Sequence, residues 1–181
     1  MSDAQEYDDS VPISVRLGTV VPPEDPEDWT RPLTWVAALG MVAAPMAALA
    51  WFVIAPPVDA TAPLPGTWLI AAALVAGAAV TGATQLTAGF ALAATLGTGL
   101  FSGLLVIIIG LVTAGERQVG AASPTLAHAF LAAVAGLAGT LVTASLAPLL
   151  LRLGSRLRRA LIPGTIGVAV SALVVPLLSR S

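Results

Sequence analysis

The chain has 181 residues, 57% of them hydrophobic and only 10% charged, with a formal net charge of −2. A soluble domain of this length needs polar surface over most of its exterior, and about a quarter of an ordinary globular chain is charged. The composition therefore excludes an ordinary cytosolic enzyme, a nucleic-acid-binding protein and a disordered protein, and predicts an all-α, polytopic integral membrane bundle. Cys is absent, so there is no disulfide framework, thiolate nucleophile or zinc–thiolate site. Lys and Asn are absent too, which fits a GC-rich genome, and every basic residue is Arg.

Eight of the ten acids fall in the first 28 residues. Residues 1–32 are expected to form an acidic, partly disordered tail. Within it, Asp25-Pro26-Glu27-Asp28 has the pattern of a helix start: Asp as N-cap, Pro in the first turn, acids near the positive end of the dipole. The same strip, Glu24, Asp25, Glu27, Asp28 and Trp29, also suits docking, with acids facing a partner's Arg and Trp29 as anchor. A contact between the tail and Arg158 and Arg159 is a further option. No cleavable signal peptide is expected, because the first apolar run follows a mainly acidic segment rather than a basic one.

Residues 33–181 are expected to form the bundle, and the gaps between charges delimit its spans. No charged residue lies between Asp59 and Glu116, nor between Arg117 and Arg152. A span needs about 20 apolar residues to cross a hydrocarbon core of about 30 Å. The first helix is placed at 33–54, stopped by Pro56-Pro57. The second runs over 67–85 after Pro65-Gly66, and the third over 88–114. The break between them rests on the uncharged cluster Thr84-Gln85-Leu86-Thr87. The fourth runs over 125–151, where Ser123 suits an N-cap and Pro124 the first turn. The fifth occupies 160–178. Four and six helices are the alternatives, because Ala-rich helices are only marginally hydrophobic.

Five spans put Arg16, Arg31, Arg152, Arg156, Arg158 and Arg159 on one side and Arg117 and Arg180 on the other. Positive loops stay inside, so the expectation is a multi-pass plasma-membrane protein with a cytoplasmic N-terminus. Trp35 and Trp51 are about 24 Å apart along a helix. They are read as interfacial belts, with Trp29 and Trp35 on one side and Trp51 and Trp68 on the other; packing between helices is the alternative.

The helices are rich in Ala and Gly. Lipid tails are as apolar as any side chain, so membrane helices associate through close packing on small-residue faces. Gly77 on the second helix, Gly99 and Gly103 on the third, and Gly136 and Gly139 on the fourth are the predicted packing positions. Gly167-Ser171 gives the fifth helix a similar face. Pro45, Pro148, Pro163 and Pro176 lie inside spans and each removes a backbone donor. Pro65-Gly66-Thr67 and Pro163-Gly164-Thr165 echo one another, though three residues do not establish a repeat.

No Asp, Glu or Arg falls in a predicted helix core, which counts against a proton-coupled pump and a carboxylate-dependent membrane enzyme. His128 is the single His. It is placed about one turn into the fourth helix, near the outer face, bonded to a loop or to water. A heme ligated by His128 and Met46 is a remote alternative. A Ser102–His128 dyad is rejected because the two lie at different depths. Arg152, Arg156, Arg158 and Arg159 form a basic loop that sets topology or attracts lipid headgroups; Arg152, Arg156 and Arg159 would share one face of a continuing helix.

The expected partners are the lipid bilayer and other membrane subunits or further copies of the chain, with no cofactor, metal or nucleic acid. The first functional reading is a non-enzymatic accessory or structural subunit of a membrane complex. The second is a small permease or channel for a neutral solute, working through Thr81, Thr98 or Thr140. The third is a membrane enzyme or heme protein centred on His128.

Overall fold

The computed structural model describes residues 26–58, 65–85, 87–115, 123–150 and 156–179, with side chains described over the same residues except 26–34, 147–150 and 156. The chain divides into a unit over Met1–Pro32 and a unit over Leu33–Ser181. Five helices occupy the described residues: α1 (Pro26–Ile54), α2 (Pro65–Ala83), α3 (Ala88–Gly115), α4 (Pro124–Leu150) and α5 (Arg156–Leu178). Each contains a stretch long and apolar enough to cross a membrane. The protein is an all-α bundle of five such helices, consistent with a polytopic membrane protein.

Two boundaries differ from expectation. α1 begins at Pro26, where the sequence carries a helix-start pattern with Pro in the first turn, and not at residue 33, where the span is placed. Proline has its φ already set for a first turn, so the helix starts at the Pro26 signal, although its apolar part begins only at Trp35. α5 begins at Arg156 rather than 160, so Arg156, Arg158 and Arg159 belong to its first turn and not to a loop or to an extension of the fourth helix. The other ends follow the sequence signals. Pro124 opens α4, and the Ala127 amide donates to the Ser123 carbonyl at 3.1 Å. Between α2 and α3 the chain turns at Thr84-Gln85, and the Thr87 hydroxyl accepts from the Phe90 amide at 3.5 Å, an N-cap at its distance limit.

α2 is the central helix. It packs against α3, α4 and α5, and against α1 where Gly40 meets Gly77. Accordingly 67% of its span is buried, against 28% for those of α1 and α5. The pairings fix direction. Leu74 lies against Gly136, and Thr67 against His128, so α2 and α4 run parallel. Ala79 lies against Gly164 and Val75 against Gly167, so α2 and α5 run antiparallel. One core cluster joins Ala44, Ala48 and Phe52 of α1 to Ile70 and Leu74, Val106, and Ala129 and Ala132. A second joins Ala71, Ala135 and Val175.

Two crossings are too close for any side chain. A Cβ on Gly77 would overlap the Gly40 carbonyl, and one on Gly40 would sit 2.7 Å from the Gly77 carbonyl. Gly139 and Gly167 make the corresponding contact between α4 and α5. Without a hydrophobic drive between helices in lipid, such backbone approach maximises dispersion contact and holds the bundle.

The Trp side chains differ in their surroundings. Trp35 is 72% exposed at the perimeter. Trp51 instead overlies Gly66, and Trp68 packs against the core of the second cluster. Their large rings fill the space left by small neighbours, close to the ends of their helices. The Trp29 side chain lies outside the described residues.

Candidate functional site

Three groups of residues could carry function: buried hydroxyls with the single His, recesses on the perimeter, and the basic start of α5.

His128 lies one turn into α4 and is buried, at 2% exposure. Its Nδ1 lies 3.0 Å from the Oγ1 of Thr67, which is itself buried. Thr67 is the third residue of α2 and His128 the fifth of α4. Both helices start on the same side, so the two reach the same depth. That shared position was the signal in the sequence; depth counted for His128 alone left its partner unseen. Buried polar atoms need partners, and Thr67 supplies one for Nδ1; His128 has a further interaction as well. Met46 faces outward at 59% exposure, away from this pair, so the geometry supports no His–Met ligation. Among the described residues no cluster of three His, Asp or Glu could hold a metal ion.

Ser102 has a different partner. Its hydroxyl donates to the Met41 carbonyl at 2.8 Å, from α3 to α1. Met41 precedes Pro45 by four residues, and proline has no N–H to complete that helical bond. Ser102 thus satisfies the carbonyl that Pro45 frees. Thr143 bridges α4 and α5, 2.9 Å from the Gly139 carbonyl of its own helix and 3.2 Å from the Pro163 carbonyl. Thr81, Thr95 and Thr140 donate to carbonyls four residues back in their own helices, at 2.8, 2.7 and 2.9 Å. Thr98 stands apart: its buried hydroxyl has no hydrogen-bond partner among the described residues.

The five predicted packing glycines face different neighbours. Gly77 meets Gly40 and Gly139 meets Gly167, backbone to backbone. Gly99 faces the Thr140 side chain and Gly136 the Leu74 side chain. Gly103 is looser: a Cβ there would lie 3.6 Å from Leu137 and Leu74, ordinary contact.

Three of the recesses lie beside α2. One separates α1 from α2, has about 320 Å³, and is lined by Leu39, Ala43, Ala73, Ala76 and Val80 among others. Two separate α2 from α5: a larger one of about 560 Å³ near Trp68 and Val175, and a smaller one of about 270 Å³ near Leu161 and Gly164. A fourth, of about 270 Å³, lies between Pro56-Pro57 and Thr113, Ser123 and Thr125 on the side where α2 and α4 begin.

At the basic end, Arg158 is exposed and Arg159 half-buried, and both interact with other groups of the protein. Arg152, Glu24 and Asp25 lie outside the described residues, as do the side chains of Arg156, Glu27 and Asp28. The docking strip and its contact with Arg158 and Arg159 therefore also lie outside them. No protein-family model, curated protein or solved structure matches the chain.

Proposed function

We propose that the protein is a non-enzymatic accessory or structural subunit of a membrane complex, seated against its partner along α1 and α2. The observation that carries this reading is a contrast between two outward faces. α3 presents large side chains suited to lipid, with Leu100, Leu104 and Leu111 between 57% and 61% exposed. The valley between α1 and α2 is small-residue only along its floor, with Ala43 and Ala76 exposed and Ala73 half-buried, while the exposed Leu39 flanks it on α1. Small residues let a further helix approach closely, and membrane helix interfaces are enriched in them. The permease reading has less support: the Thr81 and Thr140 hydroxyls are engaged by their own helices, leaving Thr98 alone unpartnered.

A photo-crosslinking residue placed at Ala43 tests the reading in native membranes. A single polypeptide adduct is expected from Ala43, at least tenfold reduced when Ala76→Trp fills the valley, and none from Leu104. Lipid adducts alone at both positions would remove the accessory-subunit reading.

A further inference from the structure

We propose that the interior of the bundle binds an ordered water molecule on the inward face of α3, held by the hydroxyls of Thr95, Thr98 and Ser102. This site does not depend on the accessory-subunit reading, which concerns the outward face of α1 and α2.

Thr98 is 2% exposed, and its hydroxyl has no hydrogen-bond partner among the described residues. Four other buried threonines, Thr81, Thr95, Thr140 and Thr143, each donate to the carbonyl four residues back in their own helix. Threonine in a helix divides between two side-chain rotamers, one of which makes that bond. Thr98 does not make it, so its hydroxyl is turned away from its own backbone. A buried hydroxyl left in this state bears its full desolvation cost. A partner from outside the chain removes that cost.

The neighbours of Thr98 on α3 show where it faces. Ser102, four residues later, donates to the Met41 carbonyl of α1 at 2.8 Å. Thr95, three residues earlier, lies against Gly82 of α2. Residues at these spacings share one helix face, so Thr98 faces the junction of α1, α2 and α3. It lies ten residues after Ala88, the start of α3. That is about 15 Å along the axis, half of a hydrocarbon core of about 30 Å. Bulk water does not reach this depth, so a partner there must be bound.

The hydrogen-bonding chemistry selects the ligand. Thr95 and Ser102 have used their donors on the Ala91 and Met41 carbonyls, yet a hydroxyl oxygen also has two lone pairs. The row therefore holds three acceptors and one unused donor, that of Thr98. Side chains three and four apart on a helix are about 5–6 Å apart at Cβ. One water with a bond of about 2.8 Å on each side spans that separation. It donates to Thr95 and Ser102 and accepts from Thr98, three bonds in all, the usual number for a buried water. A cation would need a compensating charge, and no Asp or Glu lies in any of the five spans. A larger neutral solute would need an open recess, and none of the three residues lines the four recesses described above.

Water-edited solid-state NMR of the isotope-labelled full-length protein in phosphatidylcholine bilayers tests the site. Thr140 is the control, because it is equally buried and its donor is used within its own helix. Magnetisation from water should reach Thr98 about threefold faster than Thr140, as expected for a side chain with water in its first shell. Thr98→Val should slow the transfer to Ser102 by a similar factor, and Thr98→Ser should preserve it. Thr98→Val should also lower the thermal midpoint by about 2–4 °C, the shift that follows loss of one ordinary bond in a chain of this size. Thr98→Ala gives the same transfer measurement if the valine variant does not fold. Equal transfer to Thr98 and Thr140, or unchanged transfer to Ser102 in the variants without a hydroxyl, would overturn the assignment. A raised midpoint in Thr98→Val would do the same, since it is the mark of a hydroxyl without a partner. Dependence of the transfer on sodium, when choline replaces it, would give the site to a cation instead. The crosslink from Ala43 should be indifferent to these substitutions, so failure of one proposal is distinguishable from failure of the other.

Discussion

At the scale of single residues, the bundle is governed by where its few polar atoms find partners. Pro45 interrupts α1 and Ser102 completes the broken bond from α3. Ser102→Ala should therefore destabilise the protein by about 1 kcal/mol, the usual range for an interhelical hydrogen bond in a membrane protein. In Pro45→Ala the restored backbone amide can reach the Met41 carbonyl, so Ser102→Ala should then cost much less. A double-mutant cycle in detergent, read by reversible unfolding, checks this coupling; additive effects would separate the two residues. Half of the contact was legible in the sequence, because the spacing of Met41 and Pro45 identifies the orphan carbonyl. The donor was not, since which Ser or Thr faces α1 depends on the rotation of α3, and nothing local fixes that rotation. Thr67 escaped notice for a related reason: a hydroxyl at a helix start has an ordinary local role, and its pairing with His128 is a property of two helices.

At the scale of elements, the scarcity of charge made all five helices legible, because a charge-free stretch of sufficient length has few alternatives in a bilayer. Hydropathy does not register helix ends built of polar residues, at Pro26 and Arg156; the first was legible from its capping pattern, the second was not. The pairing of helices was much less legible. Ala and Gly occur on every face, so composition does not say which glycine meets backbone and which meets open space. The structure separates them, and the difference is measurable. Gly77→Ala places a methyl group against the Gly40 carbonyl and should cost about 1–3 kcal/mol, as overpacking does. Gly103→Ala meets only ordinary contacts and should be neutral or stabilising by up to about 1 kcal/mol, through better helix propensity. Thermal unfolding of the two variants side by side gives the comparison; equal losses would mean that the glycines act through the unfolded chain instead.

At the scale of the whole molecule, five spans place the two ends of the bundle on opposite sides, and the Arg bias predicts which is which. The chain contains no Cys, so one introduced thiol is a unique label. Val58→Cys, at a position 93% exposed, should react with an impermeant maleimide in intact cells. Thr87→Cys should react only after permeabilisation. The reverse pattern would invert the orientation, leaving the packing unaltered.

The central position of α2 also bears on how the protein is made. This helix is the most buried of the five and the least hydropathic. Its favourable surroundings are other helices, not lipid, yet α3, α4 and α5 have not been synthesised when it leaves the ribosome. Only α1 is then present, and it offers Gly40 to Gly77 and Trp51 to Gly66. The two helices are thus suited to enter the bilayer together as a hairpin, with α2 remaining partly exposed until the later spans enclose it. Substitutions along this first crossing should reduce the amount of protein inserted more than they reduce the stability of what has been inserted.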